Sequence, residues 1–228
     1  ELSPRPSWLQ PMSSLYVHIP FCLRKCDYCD FFSADAFSAE QLDEYVQLLG
    51  MELDLLRQGN SEPLPLETIF FGGGTPSILS VSQLEQICSA LAKAYPLAAD
   101  CEITVEANPG TLTEEKLRGY HAAGVNRLSL GVQTLSDELL QLLGRIHSAN
   151  DAQRAVEMAR AAGFANLSLD LIFALPGQTL EQLALDVAGL LALQPEHLSL
   201  YGLTFEPGTP LYERLQKREL VEPEEQLY

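Results

Sequence analysis

Two stretches of this chain repeat one another. Ala122-Ala123-Gly124-Val125-Asn126-Arg127-Leu128-Ser129-Leu130 resembles Ala161-Ala162-Gly163-Phe164-Ala165-Asn166-Leu167-Ser168-Leu169. Each reads as a helix end, a glycine that stops it and a short buried strand. This echo constrains the fold more than any other feature, because a repeated helix–strand unit builds a parallel sheet covered by helices. The remaining chain keeps the same rhythm. Strands are expected at about 15–19, 67–71, 102–106, 126–130, 167–173 and 197–203. Ser38-x-x-Gln41 opens a helix with Leu42, Tyr45, Val46, Leu49, Leu53 and Leu56 at helical spacing, and Leu84, Ile87, Cys88 and Leu91 mark another, with Cys88 as a core thiol. Thr111-x-x-Glu114 and Thr179-x-x-Gln182 read as two more helix starts, and helices are expected at about 136–143 and 150–162. Six such units are too few for a closed eight-stranded barrel. An open six-unit barrel or a doubly wound sheet fits the count.

At 228 residues and 46% hydrophobic content, the chain is long enough to bury a core of its own. Residues 1–14 carry three prolines and read as a loose arm. No apolar run approaches the roughly 18–20 residues that span a bilayer, and with no basic n-region or apolar h-region at the start, secretion is not expected. A net charge of −17 argues against a nucleic-acid backbone as the main partner and fits an acidic, solvated surface. Five cysteines, three of them clustered, suggest a reducing, cytoplasmic setting and metal chemistry rather than a disulfide framework. The chain lacks a starting methionine and stops at Tyr228 inside what reads as an opening helix at 222–226, so it is expected to be a piece of a longer protein.

The clustered cysteines are Cys22, Cys26 and Cys29, directly after the first strand. A tight loop there can turn three thiolates toward one centre, which suits a four-iron cubane with one iron left for a non-protein ligand. Two other readings stand beside it: a zinc site completed by His18, and a disulfide with one spare thiol.

In parallel βα folds, the loops at the carboxyl ends of the strands share one face, where ligands bind. The unusual residues of this chain fall at that end in successive units: the cysteine loop, Gly72–Thr75, Glu106, Gln133 and Asp170, with Thr204 as a possible last member. Gly72-Gly73-Gly74 permits close backbone approach, but neither a phosphate loop nor the dinucleotide fingerprint is present. Glu106 or Asp170 can accept hydrogen bonds from paired ribose hydroxyls, and Arg145 can grip a carboxylate through two nitrogens. Against each stands an ordinary reading: a permissive turn, a capping carboxylate, a solvated arginine. Tyr16 and Tyr28 bracket the cysteine loop, and Tyr28 is placed to lie against an adenine. His147 reads as a surface or helix-start histidine.

The residues also resemble a known family. Cys22-x3-Cys26-x2-Cys29 with Gly72-Gly73-Gly74-Thr75-Pro76 is similar to the radical S-adenosylmethionine (SAM) superfamily. Tyr16-Val17-His18-Ile19-Pro20-Phe21-Cys22, Glu106-Ala107-Asn108-Pro109, Ser129-Leu130-Gly131-Val132-Gln133 and Asp170-Leu171-Ile172-Phe173-Ala174-Leu175-Pro176-Gly177-Gln178-Thr179 narrow it. They resemble the oxygen-independent coproporphyrinogen III dehydrogenases and their haem-chaperone relatives, from about residue 15 to the end of the chain. The resemblance implies an α/β fold, a partial (β/α)6 barrel over 15–205, with 206–228 opening a C-terminal extension. It implies that Cys22, Cys26 and Cys29 hold a [4Fe-4S] cluster whose free iron is chelated by SAM. Gly73, Gly74 and Thr75 would hold the methionine part, Glu106, Gln133, Arg145 and Asp170 the remainder, with Tyr16 and Tyr28 near the cluster and adenine. One electron would then cleave the sulfonium to methionine and a 5′-deoxyadenosyl radical.

Two departures from the dehydrogenase pattern point to the haem-chaperone branch: Phe31 stands where that enzyme has a further cysteine, and only about 14 residues precede the first strand. The expected partners are therefore haem, a haem-acceptor protein that is soluble or membrane-associated, and an electron donor such as a flavodoxin or ferredoxin. The second expectation is an enzyme that oxidatively decarboxylates the propionates of coproporphyrinogen III. Among His18, His121, His147 and His197, none has a spacing that marks it as a haem ligand.

Overall fold

The structure, a computed structural model, describes residues 13–59 and 64–223. Its strands are β1 (Ser14–Ile19), β2 (Leu66–Gly73), β3 (Leu97–Ala107), β4 (Arg127–Gln133), β5 (Asn166–Phe173) and β6 (His197–Gly202). Its helices are α1 (Ala39–Gly59), α2 (Val81–Ala94), α3 (Glu114–Ala122), α4 (Asp137–Leu142), α5 (Ala149–Ala161), α6 (Leu180–Ala192) and α7 (Pro210–Gln216). The six strands lie in chain order, all neighbours parallel. A doubly wound sheet reverses its order partway, and this one does not, so the barrel reading holds and the sheet stays open between β1 and β6.

Strand parity decides what each face carries. Val17, Ile19, Ile69, Phe71, Val105, Leu128, Leu130, Leu167 and Leu169 are buried and pack in one core with Leu42, Val46, Leu84, Ile87, Leu91, Leu117 and Ala155 of the covering helices. The alternate residues, among them Glu106, Ser129 and Asp170, face the other way, and register places Ser129 beside both Glu106 and Ser168. Removing an apolar set this size from water, at about 25 cal/mol per Å², is the main force holding the sheet. The two echoing stretches form the same unit twice: α3 into β4 through Gly124 (φ 100°) and α5 into β5 through Gly163 (φ 102°).

Several expectations are corrected. Thr111 does not cap α3: Pro109–Thr111 forms a 3-10 turn in which Thr111 Oγ1 donates to Asn108 O at 2.8 Å. Thr113 is the cap instead, accepting from Lys116 N. Leu56 is 48% exposed and lies off the buried stripe of α1. α7 was not expected, and it packs Leu211 against Leu139, Leu143, Ile172, Leu175 and Leu203 in a second core at the carboxyl end of the sheet. The expected arm falls outside the described residues up to position 12. Of the helix expected at 222–226, only Glu222 and Pro223 are described, and neither is helical.

Candidate cofactor site

The carboxyl ends of the strands open onto a cavity of ≈ 610 Å³. Its lining includes Cys22, Cys26, Tyr28, Cys29, Gly73, Gly74, Thr75, Glu106, Gln133, Arg145 and Asp170, eleven of the twelve residues singled out above, and also Thr204. Tyr16 is the exception. On β1, opposite Phe70 of β2, its ring stacks on Phe70 at 6.2 Å and its hydroxyl meets His18 Nδ1 at 3.0 Å; burial, with the Glu106 carboxylate adding, raises its phenol.

The cysteine loop is held by backbone bonds from several elements. Cys22 N donates to Ala34 O (2.9 Å), Asp27 N to Leu143 O (3.0 Å), and Leu211 N of α7 to Asp27 O (2.8 Å). β2 continues this grip, with Gly74 N on Ile19 O (2.9 Å) and Thr75 N on Phe21 O (2.8 Å). Two side chains reach cysteine sulfurs: Thr75 Oγ1 to Cys22 Sγ at 3.5 Å, and Arg145 Nη1 to Cys26 Sγ at 3.4 Å. All five cysteines are free thiols, so the disulfide alternative is not realised. His18 is not a fourth ligand, since Nδ1 meets Tyr16 and Nε2 lies 3.2 Å from Phe32 O. Among the described residues no three His, Cys, Asp or Glu side chains gather as tightly as a single ion needs. A zinc ion at about 2.3 Å from each sulfur demands that closeness, whereas a cubane holds its thiolates wider apart.

Opposite the cysteines stand the carboxylates. Glu106 Oε2 accepts from Gly73 N at 3.3 Å, and burial, with Asp170 adding, pushes its carboxyl up to about 7. Asp170 accepts from Ser129 Oγ at 3.1 and 3.3 Å, and burial raises it too. Burial likewise raises the thiol of Cys29 and the phenol of Tyr28, whose lining position is completed by Arg145. Two acids crowded into one cavity would favour a cationic ligand that relieves them.

The third wall is Gln133 and Arg145. Arg145 Nη2 donates to Gly131 O at 2.7 Å, but its buried Nε has no partner, nor does the buried Oε1 of Gln133. One orphan donor and one orphan acceptor therefore sit on the same wall. Ser129 escaped the sequence reading, although a serine between Leu128 and Leu130 on a strand that also supplies Gln133 was a usable signal.

His147, read from sequence as a surface residue, is 5% exposed. Its Nε2 lies 3.2 Å from Val132 O and its Nδ1 3.2 Å from Asn108 Oδ1, so it ties the loop after β3 to the end of β4. Burial first, then the nearby Arg145 guanidinium, holds its pKa down to about 4 against the usual 6.5. Above about 6.5 the ring is neutral folded or unfolded, and its full contribution to stability is present. As pH falls from about 6.5 to 4, the unfolded chain takes up a proton that the folded chain refuses, and stability drops. His147→Gln should flatten the fall in melting temperature across that window; a slope equal to the parent's would contradict the assignment.

Glu106 works in the opposite sense. Below about 4.5 its carboxyl is neutral in both states; as pH rises toward 7, the unfolded chain releases a proton that the folded chain keeps, so the cost of burying it grows. Glu106→Gln should match the parent near pH 4 and melt higher at pH 8, by up to about 3 kcal/mol. Equal melting at both pH values would sink this reading.

Residues 16–187 match the Radical SAM superfamily. The heme chaperone HemW of Escherichia coli (strain K12) is 46% identical over 202 residues, 87% of this chain and 52% of that protein. HemW of Bacillus subtilis (strain 168) is 44% identical over 94% of this chain and 57% of its own length. The coproporphyrinogen III oxidase HemN from Escherichia coli, described as a radical SAM enzyme, superposes with a TM-score of 0.84 at 29% identity, covering 95% of this chain and 49% of that one. The chain thus spans about half the length of the curated relatives it matches. A radical SAM domain implies a [4Fe-4S] cluster and SAM as cofactors, and the orphan polar atoms, the paired acids and the three free thiols of the cavity fit both. By the match over three quarters of its residues, and by the partial barrel that carries the site, this chain belongs to the radical SAM superfamily.

Proposed function

We propose that this barrel is the cofactor-binding half of a haem chaperone. Cys22, Cys26 and Cys29 would hold the cluster, with Gly73, Gly74 and Thr75 against the methionine part of SAM. Glu106, Gln133, Arg145 and Asp170 would take its remaining polar groups, with Tyr28 and Tyr16 near the adenine and the cluster, Tyr16 from beside Glu106. The observation that carries the cofactor part is the pair of unpartnered buried atoms, Gln133 Oε1 and Arg145 Nε, on two residues that line the same cavity as the cysteines. When bound, the cluster and SAM supply one-electron chemistry at a carbon–sulfur bond. The chain's own residues position SAM, exclude water and, through Arg145 and Thr75, hydrogen-bond the cysteine sulfurs.

The haem part rests on the relatives of 40–46% identity, five of whose names give heme chaperone HemW. No histidine or methionine lines the described cavity. The partners would be haem, an acceptor protein, soluble or membrane-associated, and a one-electron donor of the flavodoxin or ferredoxin kind. Among the described residues no helix is long and apolar enough to cross a membrane. One relative of 40% identity, from Mus musculus, carries a mitochondrial name, so the family does not decide the compartment. The free clustered thiols support a reducing, cytoplasmic setting for this chain.

A second reading, coproporphyrinogen III oxidation, is favoured by the superposition on HemN. One experiment separates the two. Full-length, cluster-loaded protein is given SAM and a reductant with coproporphyrinogen III, and separately haem with an apo-acceptor. Haem transfer without vinyl product supports the chaperone; vinyl product overturns it.

A further inference from the structure

β4 does not simply end at the cavity. Its register with β5 shifts between Gly131 and Gln133, and Gln133 sits at φ 70°, in the left-handed region that side-chain-bearing residues seldom occupy. This bulge builds the third wall. A Cβ on Gly131 would lie 2.8 Å from Gln133 Nε2 and 3.2 Å from Arg145 Nη2, so the amide and the guanidinium converge over one glycine. Both unpartnered atoms of that wall therefore depend on one backbone conformation.

Something must hold that conformation, since Gln133 would not adopt it alone. The turn that follows is gripped by Asp186 of α6, a carboxylate only 4% exposed. Its Oδ2 accepts from Thr134 Oγ1 at 2.7 Å and its Oδ1 from Leu135 N at 2.8 Å. Thr134, itself fully buried, accepts from Ser136 N at 3.1 Å and donates its own N–H to Val132 O at 2.9 Å. Gly189 lies three residues from Asp186 on α6; a Cβ there would collide with Leu135 Cδ1, so the glycine lets the helix close onto the turn. No lysine or arginine pairs with Asp186 among the ion pairs of the described residues. Its hydrogen bonds go to the turn.

We infer that Asp186, acting through Thr134, is the positioning residue for the Gln133–Arg145 wall. It touches no cofactor. It holds the bulge that carries Gln133, and with it the Gln133–Arg145 wall of the cavity, and thereby sets the affinity for SAM. The inference rests on the reading that these two side chains bind SAM.

Thr134→Val is the test. Valine keeps the shape but removes the hydroxyl, leaving Asp186 Oδ2 without its donor and Ser136 N without its acceptor. In full-length, cluster-loaded protein, SAM affinity by calorimetry should fall about tenfold, as for other groups that act through a ligand-holding residue. Iron content should stay at the parent value, and amide exchange across 131–136 should quicken. Thr134→Ser, which restores the hydroxyl, should recover both readouts. Thr179→Ala, which removes the cap of the same helix α6, should lower the melting temperature and leave SAM affinity alone. A Thr134→Val protein that binds SAM as the parent does overturns this inference only. A parent that fails to bind SAM overturns the underlying reading, and this one with it.

Discussion

Replacing Cys26 by serine is expected to strip the cluster, taking iron from about four per chain to below one. Cys26 lies in the cavity wall, half-buried, with the Arg145 guanidinium 3.4 Å from its sulfur. An alkoxide is a harder and more basic ligand than a thiolate, and with two thiolates left the cubane has no adequate seat. Arg145 should stay in place in the variant, because its Nη2 bond to Gly131 O does not involve the sulfur. The fold should therefore survive, with the melting temperature of the cluster-free protein close to that of cluster-free parent. Cys88→Ser is the matched control. Cys88 sits on α2 away from the cavity, and burial pushes its thiol up to about 11, leaving it a poor thiolate. Iron, sulfide and paramagnetic resonance on anaerobically loaded proteins decide the matter: four irons retained in Cys26→Ser would remove Cys26 from the ligand set.

Gly74→Ala should damage the site nearly as much while replacing no cluster ligand. A Cβ on Gly74 would lie 2.6 Å from Phe21 O and 2.9 Å from Cys22 Sγ. Neither neighbour can step aside cheaply. Phe21 O already accepts from Thr75 N, and Ile19 O accepts from Gly74 N, so β2 and the start of the cysteine loop are stitched together at van der Waals range. The loop must shift by something like an ångström, a displacement that costs on the order of a hundredfold in a positioned site. SAM affinity should fall by that order, with a stability loss of about 1–3 kcal/mol from overpacking. Gly177→Ala provides the contrast. Gly177 has φ 78° but nothing within 4 Å of its would-be Cβ, so only the backbone conformation is strained, at about 1–2 kcal/mol, and SAM affinity should not change. Equal SAM affinity in Gly74→Ala and the parent would show that the loop tolerates the shift.

What could be read without the structure follows from periodicity and from the geometry of parallel βα units. Alternating apolar runs with helical stripes require a parallel sheet, and such a sheet brings the carboxyl ends of its strands to one face whatever the connecting loops do. That is why Cys22, Gly73, Glu106, Gln133 and Asp170, spread over nearly 150 residues, could be assigned to one cavity from their place at strand ends. The cap at Thr179 and the glycine stops at Gly124 and Gly163 were legible for the same reason: their physics is local.

Misreadings arose where contacts distant in sequence decide. Thr111 lost its capping role because a proline-led turn claimed its hydroxyl first. His147 and Asp186 carry no pattern in the sequence at all. They matter because each meets the end of β4 or the turn just after it, one from beyond α4 and one from α6. The sequence by itself determined the parallel βα repeat, the rim on which the chemistry gathers and the three thiols. Tertiary structure alone decided which buried polar groups hold that rim in shape, because a hydrogen bond across 50 residues obeys only the distance between its atoms.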